Sequence, residues 1–250
     1  WSKRSYSANL TDMTSTEVCF SKDEDIFEYI DQCSKLSQVS DPLSITLVEN
    51  VSDAGIKALL ASNILHQLNN VSFNFCENIN EAETLSNIST ATNLQDLVFM
   101  YCPVLDNQAL YHISRCSNIT SLSAVGCVST DPWTMKNISA MTGLKKLTIN
   151  HNEYLTAEDI FSVSMLSNLE ELDMEDIHLN NKSLFAILNG SGSTKLKRLN
   201  IEENPDVTTM GFHELTKLKN LEALRIGVCQ ATDVGWKSIG KLMQLTALQI

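Results

Sequence analysis

The chain has 250 residues, 43% of them hydrophobic and 19% charged, with a formal net charge of −12. An acidic chain with no run of Lys and Arg suits a nucleic-acid backbone poorly. No apolar stretch approaches the ~18 residues that a bilayer span needs. Neither nucleic acid nor membrane is therefore expected as a partner, and basic polypeptides fit the charge better.

The chain opens on Trp1-Ser-Lys-Arg-Ser-Tyr-Ser-Ala-Asn-Leu10 without a Met, and so reads as a piece of a longer protein. The stretch Leu10 to Phe20 suits one worn strand, and a helix is predicted from about Asp23 to Cys33. Ile45, Leu47 and Asn50 then form a degenerate strand phrase, with Asn50 on an inward position. Residues 1–44 are accordingly expected to be an N-terminal cap with a degenerate repeat, and residues 45–250 an array of about nine strands, the last truncated.

From Leu68 one phrase recurs eight times, apolar at positions 1, 4 and 6 and usually closed by Asn or Cys at position 9. The copies start at Leu68, Leu94, Ile119, Leu144, Leu169, Leu196, Leu221 and Leu245, a step of 24 to 27 residues. Leu144-x-x-Leu147-x-Ile149-x-x-Asn152 is among the clearest. This is the leucine-rich-repeat pattern, a strand followed by a return segment. After position 9 come Ser52-Asp-Ala-Gly55, Thr208-Thr-Met-Gly211 and Thr232-Asp-Val-Gly235, whose Ser and Thr suit a helix start. Asp131-Pro132 opens another helix, with Pro where its missing N–H is harmless. Apolar residues follow at helical spacing, as in Ile56, Leu59 and Leu60, or Leu184, Ile187 and Leu188. Two departures stand out: Ile177 takes position 9, and Asn189-Gly-Ser-Gly-Ser-Thr194 adds residues that read as a protruding loop. At the other end Ile250 stops inside a strand, which raises the prospect of self-association through that terminal edge.

The strand phrase with its Ser/Thr-Asp-x-Gly helix opening resembles the cysteine-containing subclass of leucine-rich repeats, over nearly everything from Ile45 to Ile250. The expected fold is an α/β leucine-rich-repeat solenoid, arc-shaped, with a parallel sheet on the concave face and helices on the convex face. Many proteins of this subclass are substrate-recognition subunits of ubiquitin ligases with an F-box before the repeats. The segment Trp1–Leu10 resembles the tail of an F-box, and the resemblance implies a substrate-binding role. A structural scaffold and a microbial effector that binds a host protein remain as alternatives.

Of the seven cysteines, Cys76, Cys102, Cys127 and Cys229 occupy position 9, and Cys33 and Cys116 fall where a helix ends. A small, buried, weakly donating thiol suits that place, which favours a reducing compartment, cytoplasmic or nuclear, over secretion. Eight Asn-x-Ser/Thr sequons, at Asn9, Asn50, Asn70, Asn87, Asn118, Asn137, Asn181 and Asn189, argue the other way but occur in a chain rich in Asn and Ser.

Positions 2, 3, 5, 7 and 8 are expected to face solvent on the sheet, so function is sought there. Lys145-Lys146, Glu170-Glu171 and Lys197-Arg198 alternate in sign along positions 2 and 3, as a ladder that sets strand register would. At positions 7 and 8, Glu175-Asp176 lies beside Glu202-Glu203, with Asp173 at position 5 and only His151 and Arg225 at the margins to balance them. That group reads as a docking surface for a basic segment, as a hydrated face that keeps the protein soluble, or as a divalent-cation site lacking a wrapping loop. Nearer the N-terminus the same rows are apolar: Phe75 and Tyr101 at position 8, Met100 and Val125 at position 7, Val98 at position 5. Such residues anchor interfaces, unless the N-terminal segment covers them. His66, His112, His151, His178 and His213 are scattered without a metal or triad partner, and nine Gly form no phosphate loop. No enzyme activity, cofactor or metal is expected.

Overall fold

The computed structural model describes residues 17–35, 43–103, 105–127 and 133–250. The chain divides into two compact units, residues 1–119 and 120–250. The first holds strands β1 (Glu17–Lys22), β2 (Leu43–Asn50), β3 (Leu68–Asn74) and β4 (Asp96–Met100), with helices α1 (Asp23–Ser34), α2 (Asp53–Ala61) and α3 (Asn107–Ser114). Between β3 and β4 the return is a 3-10 helix, Ala82–Thr90. The second holds β5 (Ser121–Val125), β6 (Lys146–Thr148), β7 (Glu171–Asp173), β8 (Arg198–Asn200), β9 (Ala223–Arg225) and β10 (Ala247–Gln249). Its helices are α4 (Thr134–Ser139), α5 (Ala157–Val163), α6 (Asn181–Leu188), α7 (Thr209–Leu215) and α8 (Asp233–Ile239).

Within each unit every strand pairs in parallel with the next in the chain. The register keeps position 4 opposite position 4: Val71 faces Leu97 in the first unit, and Leu122, Leu147, Leu172, Leu199, Leu224 and Leu248 face one another in turn in the second. Residues at positions 1, 4 and 6, such as Leu144, Leu147 and Ile149, are buried together with the helical stripes Leu59/Leu60, Leu184/Ile187/Leu188 and Phe212/Leu215. The α/β repeat fold expected from the periodicity is thus the one observed. Strand β1 occupies the end of the stretch read as worn; residues 10–16, the F-box-like Trp1–Leu10 and Asp131-Pro132 lie outside the described residues.

Two ladders hold neighbouring repeats together. At position 9, Cys76 Sγ lies 3.4 Å from Leu47 O and Cys102 Sγ 3.3 Å from Phe73 O, each the carbonyl at position 6 of the preceding strand. Asn152 Nδ2 donates to Ala124 O, Ile149 O and Asn150 O, and Asn204 Nδ2 to Met174 O, Ile201 O and Glu202 O. These bonds satisfy backbone left over where the strands stop. The rung missing at Ile177 is covered from both sides, because Asn152 already serves Ile149 O while Asn204 Oδ1 accepts from Ile177 N and Leu179 N. The second ladder stands just before position 1. Asn93, Asn118, Asn168 and Asn220 each donate to a backbone carbonyl of the preceding repeat, at His66, Thr92, Thr142 and Thr194.

The structure corrects three local expectations. Thr208 and Thr232 start helices without a side-chain cap bond; Thr208 Oγ1 accepts instead from Asn181, and Thr232 Oγ1 meets Thr209 Oγ1. The glycine of the opening makes room for the previous helix start, since a Cβ on Gly211 would lie 2.8 Å from Asn181 Oδ1. Asn189–Thr194 does not protrude. Ser191 N donates to Ser164 O, Gly192 is buried against Leu166 O, and a Cβ on Gly190 would sit 2.5 Å from Ser164 O. Finally, Asn50 is exposed rather than turned inward.

Replacing Asn204 by Ala should lower stability by about 3 kcal/mol, because it orphans buried amides and carbonyls together; an unchanged urea midpoint would show that the ladder does not carry the load. Burial pushes the Cys116 and Cys229 thiols from 9.0 up to about 11. The folded state therefore holds these protons more tightly, a contribution intact below pH 9.0 and lost as pH rises toward about 11. Cys229→Ala should flatten the decline in urea midpoint over that window, and an unaltered slope would count against the burial effect.

Candidate functional site: the open face of the sheet

Where strands β2 to β9 end, the chain turns through a left-handed residue at position 8. Glu49, Phe75, Tyr101, Gly126, His151, Asp176, Glu203 and Val228 have φ between 50° and 61°. Only one of them is Gly, the residue for which this conformation is cheap. The turn reverses the alternation of the strand, so that position 6 faces the core, position 8 faces out and position 9 turns in again. Nothing in the apolar spacing announces this; Gly126 at position 8 was the one available hint.

In the first unit the turn presents an aromatic pair. Phe75 and Tyr101 are 47% and 45% exposed. Their rings stack with centroids 5.5 Å apart and planes inclined at 17°. Inside the core, Phe73 and Phe99 of the same hydrogen-bonded strands stack at 4.7 Å. Phe75 N donates to Met100 O at 2.8 Å, and Val98 and Met100 lie half-buried alongside. The segment read as a possible cover, residues 1–16, lies outside the described residues.

In the second unit the face is charged, and its rows are more finely paired than the sequence suggested. Glu171 meets Lys146 at 3.0 Å and also Arg198, and Lys197 meets Glu170 at 2.6 Å. These pairs are largely exposed and contribute little stability. Arg225 binds Glu202 at 2.6 Å, and His151 Nδ1 lies 3.2 Å from Asp176. Asn200 donates to Glu175 at 3.0 Å. Among the described residues Asp173, Glu175 and Glu203 have no cation within ion-pair distance. An open groove of about 250 Å³ runs over these strands, with Asp173, Asn200 and Arg225 in its lining. Burial pushes the Asp173 carboxyl above the usual range, partly offset by the amides of Asn150 and Asn200. Its Oδ1 is buried without a hydrogen bond of normal geometry. Among the described residues no group of three His, Cys, Asp or Glu could hold a metal, and no helix is long and apolar enough to cross a membrane.

No protein-family model matches the chain, and no curated protein sequence is significantly similar to it. A similar solved structure is an internalin (inlF) from Listeria monocytogenes str. 4b F2365, at a TM-score of 0.55 and 15% identity, over 83% of this chain and 67% of that one. At such identity the likeness speaks for the fold, a leucine-rich-repeat solenoid.

Asp173→Asn keeps the shape and removes a half-buried charge. Its unfolding free energy from urea melts should be unchanged or higher at pH 7, by up to about 1 kcal/mol, with the gain shrinking in acid as the wild-type carboxyl takes up its proton. A clear loss of stability at pH 7 would show that the carboxylate is a structural anchor.

Proposed function

We propose that this chain is a non-enzymatic protein-recognition module that binds a partner polypeptide on the open face of its sheet. One observation carries the reading. Among the described residues, seven of the eight left-handed residues at position 8 keep a side chain, including Phe75, Tyr101, Asp176, Glu203 and the β-branched Val228. Outside Gly this conformation costs about 1 kcal/mol or more per residue. Gly at each would be cheaper for the fold alone. Among the side chains retained there, the first unit displays the Phe75–Tyr101 pair and the second Asp176 and Glu203, which suits an apolar anchor and a basic segment of the partner.

The narrower form of the proposal is the substrate-recognition part of an F-box-type ubiquitin ligase subunit. It rests on the repeat subclass and on the resemblance of Trp1–Leu10, and capture of a ligase adaptor by the full-length protein is its test. A reducing compartment is part of the same proposal; the seven unbridged cysteines, four of them at ladder positions, support it.

Affinity capture from cell lysate should compare the wild type with Glu175→Lys/Glu203→Lys and with Tyr101→Ala. The expected result is a set of proteins recovered about tenfold less by either variant, equivalent to about 1.4 kcal/mol, with the charge-reversal loss fading at high salt. Thermal midpoints should stay within about 1 kcal/mol of wild type, as surface substitutions do. An identical catch from all three baits would defeat the proposal.

A further inference from the structure

The outer face of the helices carries an apolar groove confined to one pair of repeats. Counting from each helix start, the fifth helical residue is Phe27 in α1, Lys57 in α2, Tyr111 in α3, Ile138 in α4, Phe161 in α5, Phe185 in α6, His213 in α7 and Lys237 in α8. Only α5 and α6 are successive helices with Phe at that place. Phe161 and Met165 are 55% and 57% exposed and stand one turn apart, so they share a face. With Phe185 and Ala186 they wall an open groove of about 520 Å³, within the range of ligand-binding clefts. Gly190 and Ser191 also line it, and they belong to the segment whose extra residues pack against Ser164. The groove thus coincides with the repeat that also departs from the pattern at Ile177 and at Asn189–Thr194.

Its charge indicates the occupant. Lys182 is the one ionisable side chain in the lining, and it is exposed with no carboxylate at ion-pair distance among the described residues. This places an unpaired cation beside apolar walls in a chain of net charge −12. We infer that the groove between α5 and α6 docks a short apolar peptide segment that bears a carboxylate, its apolar side chains against Phe161, Met165 and Phe185 and its acid on Lys182. This site is separate from the open sheet face and would take a partner of opposite charge character.

A random twelve-residue peptide display library selected on the intact chain, and counter-selected on Phe185→Ser, tests the inference. The enriched peptides should pair two or more apolar residues with Asp or Glu. A synthetic copy of one should bind about tenfold more weakly to Phe185→Ser or Phe161→Ser. Binding should also weaken, in a salt-dependent manner, on Lys182→Glu. Phe161 is exposed and Phe185 half-buried, so thermal midpoints check that both variants fold, and Phe161→Ser keeps the test decisive if Phe185→Ser is destabilised. Enrichment of basic or purely polar peptides, or binding indifferent to these variants, would overturn it. So would a concentration-dependent dimer that Phe185→Ser dissolves, which would assign the groove to a second copy. Glu175→Lys/Glu203→Lys should leave the selected peptide's affinity unchanged, so this outcome is distinguishable from that of the sheet-face proposal.

Discussion

The geometry at the end of each strand organises the rest of the structure. A parallel strand that stops leaves its last carbonyls without partners, and here the position-9 side chain turns back to take them. It can do so only because position 8 adopts the left-handed conformation, which swings the chain inward. The two positions are therefore one device. Position 9 needs a short side chain that can donate, and Asn and Cys both qualify, Asn with four hydrogen-bonding sites and Cys with a weak one. The difference is visible in the bonds: Asn204 engages Met174, Ile177, Leu179, Ile201 and Glu202, whereas Cys229 is placed on Ile201 O.

The same device creates the displayed face of the sheet. Because position 8 must point away from the core, whatever residue stands there is displayed at regular intervals along the sheet. Phe75 and Tyr101 stack because their strands are hydrogen-bonded neighbours, not because the two rings are held by anything else on the face. His151 reaches Asp176 for the same reason. Display is thus a by-product of backbone closure, and function enters through the choice of side chain.

The apolar spacing made the fold legible because burial of positions 1, 4 and 6 is a one-dimensional constraint that any copy of the phrase must obey. Position 9 was legible for the same reason, as only small polar or thiol side chains fit. What stayed hidden depends on contacts between repeats. Asn118 looks like a sequon in isolation, yet its amide is spent on Thr92 O. Asp53 looks like part of a cap, yet it accepts from Asn80 and Glu81 of the following segment. The loop at Asn189–Thr194 was misread because Gly usually marks freedom, whereas here it permits close approach. In the charged rows the signs could be read from the residues, but not that Arg225 would take Glu202 and leave Glu203 alone.

Ladder bonds that run from one repeat to its predecessor make most copies interchangeable: excising or duplicating a whole one restores the same contacts across the seam. The copy that begins at Leu169 is the exception. It borrows its closure from Asn152 on one side and Asn204 on the other. Recombination within the array can therefore vary its length freely only where that trio is inherited together, which ties the apolar groove to a fixed address among its neighbours.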